Sequence, residues 1–93
     1  MNLINSSAFQ RAFRATIKKH PQLKGKIVER LKLLESESFH PVLRTHKLKG
    51  NLAGAWSCSV DYDCRILFDF VINKDTGEEE ILLINMGTHN EVY

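Results

Sequence analysis

Cysteine and proline are scarce in this sequence, with two of each among 93 residues, and the shortage is informative. Cys58 and Cys64 are too few to staple a small secreted fold. Their spacing is not the C-x-x-C of redox or zinc sites, so they read as free thiols packed like small hydrophobes. No apolar run approaches the about 18 residues of a membrane helix. The opening Met1–Ser6 has neither the charged nor the apolar region of a signal peptide, so a cytoplasmic protein without membrane contact is expected. No repeat, low-complexity tract, phosphate-binding glycine loop or nucleophile elbow occurs. His, Cys, Asp and Glu never fall at metal-ligand spacing, so neither a metal nor a cofactor is expected. The chain is shorter than two domains need, and residues 1–93 read as one unit.

Acidic residues are also scarce in the first half. Residues 1–50 hold eleven Lys/Arg against Glu29, Glu35 and Glu37, whereas residues 51–93 hold Arg65 and Lys74 against eight acids. The halves thus carry +8 and −6. A basic half of this kind suits a polyanion or an acidic protein segment, although solvated helix faces give the same composition.

A short strand is expected at Leu3–Asn5, followed by a helix with Ser6 or Ser7 as its N-cap. Phe9, Ala12, Phe13, Ala15 and Ile17 form its apolar stripe, and His20-Pro21 ends it. A second helix should run from about Pro21 to Ser36, with Leu23, Ile27, Leu31 and Leu34 at helical spacing. Beyond Phe39-His40-Pro41 the period becomes strand-like. Leu43–Leu48, Ala55–Val60, Arg65–Ile72 and Glu80–Met86 are separated by turn-forming clusters at Gly50-Asn51, Asp61-Tyr62-Asp63 and Asn73–Gly77. Acidic residues at the last turn (Asp75, Glu78, Glu79, Glu80) should protrude together. This order gives an α+β fold, with an N-terminal helical hairpin on one face of a small, mostly antiparallel sheet and the other face open.

Alternation turns Trp56, Cys58 and Val60 toward the helices and leaves Ser57 and Ser59 on the open side. In the last strand it sets Leu82, Ile84 and Met86 against Ile81, Leu83 and Asn85. Ser59, Asp63, Arg65 and Asn85 then converge near one end of the open face. Arg65 there suits either an anion or an ion pair with Asp61 or Asp63. His20 and His40 read as surface histidines. The remaining polar clusters are Thr45–Gly50, Asp61–Asp63 and Gly87–Tyr93, and they suit RNA cleavage without a metal. Attack of a ribose 2′-OH on the adjacent phosphorus needs a base, cations for the phosphate and an acid for the departing 5′-oxygen. Histidine serves either proton transfer, Lys and Arg stabilise the phosphorane, and Tyr can stack on an unpaired base.

Three strings taken together carry a resemblance. H-K-L-K-G at 46–50, G-x-W-x-C-x-V-x-Y-D-x-R-I-x-F at 54–68 and G-T-H-x-E-V-Y at 87–93 resemble the YafQ-type branch of the RelE/ParE toxins. The order of elements agrees over nearly the whole chain. The resemblance implies a RelE-like fold and a metal-free endoribonuclease that cuts mRNA on the ribosome and is restrained by an antitoxin. It implies His46 as base, assisted by Asp63, and His89 as acid, with Tyr93 supporting His89 or stacking on a base. Lys47, Lys49 and Arg65 would hold phosphate, with Ser59 and Asn85 beside them. The chain departs from the branch at three positions. Ser59 stands for a histidine, Cys64 for a tryptophan and Asn85 for an arginine. Two other expectations belong to the same superfamily: a gyrase inhibitor of the ParE type, which lacks the paired histidines, and a degenerate toxin that only binds its antitoxin and represses transcription with it.

Overall fold

The computed structural model describes residues 1–52, 54–88 and 92. Strand β1 (Leu3–Asn5) leads into helix α1 (Ser7–Lys19), and a 3₁₀ turn at Pro21–Leu23 connects it to helix α2 (Lys24–Ser36). A second 3₁₀ turn, Pro41–Leu43, precedes β2 (His46–Lys47); β3 (Trp56–Ser59), β4 (Cys64–Ile72) and β5 (Glu79–Thr88) follow. Ser6 is the N-cap of α1: its hydroxyl accepts from the Phe9 amide at 3.0 Å and donates to the Ile84 carbonyl at 3.3 Å. One side chain thereby satisfies a free helix amide and ties α1 to β5.

The sheet order is β1-β5-β4-β3-β2. Only the β1–β5 pairing is parallel, and the other three are antiparallel. This is the α+β arrangement expected from the sequence. Ile27 and Leu34, two helical turns apart on α2, and Phe9 on α1 are buried against Cys58, Val60, Ile66, Phe68, Ile81, Leu83 and Met86 of the sheet. Each such apolar side chain contributes roughly 1.5–3 kcal/mol on leaving water. Both cysteines are buried, and neither is in a disulfide. Burial, with Cys64 adding to it, pushes the Cys58 thiol up to about 12, so it stays protonated and unreactive at neutral pH.

Three local expectations are corrected. Leu67 pairs with Asn85 but Phe68 pairs with Leu83, so Ile84 is an extra residue in β5. This bulge reverses the alternation, and Met86 joins Ile81 and Leu83 in the core instead of opposing them. Glu80 does not protrude with its acidic neighbours; it is buried and accepts from the Asn2 amide group at 3.4 Å. The sheet face away from the helices is also not open throughout, because Ser57 and Leu67 on it are buried.

Candidate functional site: a histidine beside a cation-lined cleft

His46 lies on the edge strand β2 and pairs with Ser57, which pairs in turn with Leu67 and then Asn85. These residues form one row across the sheet, so His46 and Asn85 are three strand spacings, about 14 Å, apart. Ser59 and Arg65 form the next row on the same face.

What positions His46 is the residue two before it. Arg44 closes the 3₁₀ turn in the left-handed region, with φ 50° and ψ 43°. Its surroundings over-determine that conformation. The Arg44 amide donates to the Pro41 carbonyl at 3.2 Å, Leu43 is fully buried, and the Thr45 hydroxyl donates to the Ser38 carbonyl at 2.6 Å. The Arg44 carbonyl so presented lies 2.9 Å from Nδ1 of His46. A carbonyl can only accept, so Nδ1 carries the proton and the lone pair of the neutral ring sits on Nε2, in an exposed side chain. An imidazole in this tautomer is set to take a proton.

A cleft of about 260 Å³ opens between α2, the Pro41–Leu43 turn and the β3–β4 turn. Lys26, Arg30, Arg44 and Arg65 line it against one carboxylate, that of Asp61, with Ser59 and Tyr62 completing the wall. Asp61 accepts from the Tyr62 amide at 2.8 Å and from Lys26 Nζ at 3.4 Å. Those two contacts hold its carboxyl below the usual carboxylate range. Arg30 is mostly buried, its side chain 13% exposed. Its Nε donates to the Val60 carbonyl at 3.5 Å, and its Nη1 lies 3.8 Å from Glu29 Oε1. Arg65 donates to the Ser59 hydroxyl at 2.8 Å and the Asp61 carbonyl at 3.2 Å, both neutral acceptors. Among the described residues it has no carboxylate partner, so its charge remains available to an anion. The ion pair with Asp61 or Asp63 left open by the sequence is not formed.

The other expected site residues are distributed differently. Asp63 and Asn85 line a separate hollow of about 390 Å³ beneath α1, with Thr16, Lys19 and His20. The Asn85 side-chain oxygen accepts from the Met86 amide at 2.9 Å. Lys47 is exposed and pairs with Trp56, so alternation places it on the face opposite His46; Lys49 is exposed just beyond β2. His89 and Tyr93 lie outside the described residues. Lys26, Arg30 and Arg44 escaped the sequence reading. The available signal was two like charges at i and i+4 on α2, a repulsive spacing in an isolated helix. Among the described residues, no group of three or more His, Cys, Asp or Glu could hold a metal ion, and no helix is long and apolar enough to cross a membrane.

A two-helix hairpin on a five-stranded mixed sheet of this order is the fold of the RelE-like toxins, and solved structures share it. E. coli YafQ superposes with a TM-score of 0.80 at 16% identity, covering 99% of this chain and 97% of that one. A YoeB/ParE toxin from Agrobacterium tumefaciens gives 0.75 at 18% identity, covering 96% and 99%. The E. coli DinJ–YafQ complex gives 0.73 at 17%, covering 99% and 97%. No curated protein matches the chain significantly. Residues 1–93 match the family model described as bacterial toxin of type II toxin-antitoxin system, YafQ. The chain therefore belongs to the YafQ family of type II toxins.

Proposed function

We propose that this toxin is an endoribonuclease that cleaves mRNA on the ribosome, in the cytoplasm, and is held inactive by a cognate antitoxin. The observation that carries the reading is the 2.9 Å contact of His46 Nδ1 with the carbonyl of Arg44, a residue that also lines a cleft of four cations and one carboxylate. Nε2 of His46 takes the proton of a ribose 2′-OH as its oxygen bonds to the adjacent phosphorus. Arg65 and the cleft cations stabilise the charge that develops on the phosphorane. His89 returns a proton to the 5′-oxygen as its bond to phosphorus breaks, leaving a cyclic phosphate and a free hydroxyl. Tyr93 supports His89 or stacks on a base. Lys49 and Ser59 steer the strand from the rim, whereas Lys47, on the opposite face, and Asn85, in the hollow beneath α1, stand apart from it. A partner antitoxin fits the basic half of the chain and the existence of the DinJ–YafQ complex.

Growth after induction tests this. Wild type should arrest growth, and His46→Ala and His89→Ala should each relieve the arrest while still binding the antitoxin in a pull-down. General acid–base groups contribute about 10²–10⁴-fold each, enough to abolish the phenotype. A harmless wild type that still captures its antitoxin would instead establish a binding-only toxin. That second reading draws on Ser59 and Asn85, whose polar atoms are already engaged within the chain.

A further inference from the structure

We infer that the cleft between α2 and the β3–β4 turn holds one unpaired nucleotide of an RNA strand, with its phosphate on Lys26, Arg44 and Arg65 and its base against Tyr62. The inference rests on the nuclease reading only for the identity of the ligand as RNA. Tyr62 is 94% exposed and lines the same cleft as the four cations. Its backbone is not loose. The Val60 amide donates to the Cys64 carbonyl at 2.9 Å, the Asp61 and Cys64 main chains bond each other at 3.3 Å both ways, and the Tyr62 amide is bound by Asp61. A rigid turn thus holds a large aromatic ring in water beside an excess of positive charge. That combination binds single strands, because every base has a π-face and every nucleotide a phosphate. An acidic peptide gains nothing from the ring, so RNA is the occupant the cleft favours. Arg44 links the subsite to the chemistry, since it lines the cleft while its carbonyl contacts His46.

The test is fluorescence anisotropy of the full chain with a labelled single-stranded 2′-O-methyl hexanucleotide, which binds without being cut. Tyr62→Ala should weaken binding about tenfold or more, while Tyr62→Phe, which keeps the ring, should stay within about twofold of wild type. The ring is exposed, so its removal leaves the core intact. Lys26→Ala should lower the slope of log Kd against log salt by about 0.7, the value for one phosphate contact on a single strand. The inference is overturned if wild type does not bind the probe, if Tyr62→Ala binds like wild type, or if hexaglutamate displaces the probe at equal concentration. Its failure is distinct from that of the nuclease reading. A chain that binds the probe as expected yet arrests no growth loses only the cleavage assignment. A chain that arrests growth through His46 while Tyr62→Ala binds normally loses only the subsite.

Discussion

Arg44 is the one non-glycine among the described residues with a positive φ, at a cost of about 1–3 kcal/mol. The strain is located where one residue has two tasks, and two substitutions separate them. Arg44→Gly removes the guanidinium but adopts φ 50° without penalty, so the carbonyl stays on His46. On the nuclease reading, its single-turnover rate should stay near wild type while substrate affinity falls. Arg44→Val brings a β-branched side chain that opposes this conformation. It should lower the single-turnover rate roughly tenfold or more, by releasing the ring from its tautomer. Equal single-turnover rates for the two variants would show that the carbonyl does not orient His46. Residues of this kind were only half legible. His46 and Arg65 stand in strings with recognisable spacing. Lys26 and Arg30 looked like solvated helix charge, because nothing local says that the β3–β4 turn folds back to meet them. Lys47 was grouped with His46 because adjacency in sequence hides the opposite facing of neighbours on a strand.

At the level of elements, Ser6 joins two that are distant in the chain. Because its hydroxyl serves both the Phe9 amide and the Ile84 carbonyl, Ser6→Ala loses the cap and leaves a half-buried carbonyl without its partner. The expected loss is about 1–2 kcal/mol in urea unfolding, more than Ser7→Ala at the exposed next position; equal losses would remove the double role. Helices and strands were legible where hydrophobic period and punctuation agreed: β1 and both helices fall as expected, except that Pro21–Leu23 forms a 3₁₀ turn instead of the start of α2. The bulge in β5 was not legible, since Ile81, Leu82, Leu83 and Ile84 are all apolar and such a run carries no phase. It is the pairing with β4 that sets the register and returns Met86 to the core.

For the whole molecule the two halves differ by fourteen charges, +8 against −6, and the fold gathers Lys26, Arg30 and Arg44 of the basic half around Arg65. The exposed acids Asp75, Glu78 and Glu79 sit at the turn between β4 and β5, and none of them lines the cleft. If the nuclease reading holds and the antitoxin segment is acidic, RNA and antitoxin are drawn toward the same half, and the bound antitoxin should inhibit partly by cancelling the field that attracts RNA. Such cancellation has a signature that steric cover lacks. The screening length is about 10 Å at 0.1 M salt and 3 Å at 1 M, so a field effect fades as salt rises while a physical block does not. In 50 mM salt the toxin–antitoxin complex should bind the hexanucleotide probe at least about tenfold more weakly than the free toxin. By 500 mM that gap should shrink to a few-fold, because the free toxin's affinity falls steeply along its counterion-release slope and the complex has little charge left to lose. A gap of constant size across that range would mean that the antitoxin works by covering the cleft, and that the charge asymmetry serves partner recognition alone.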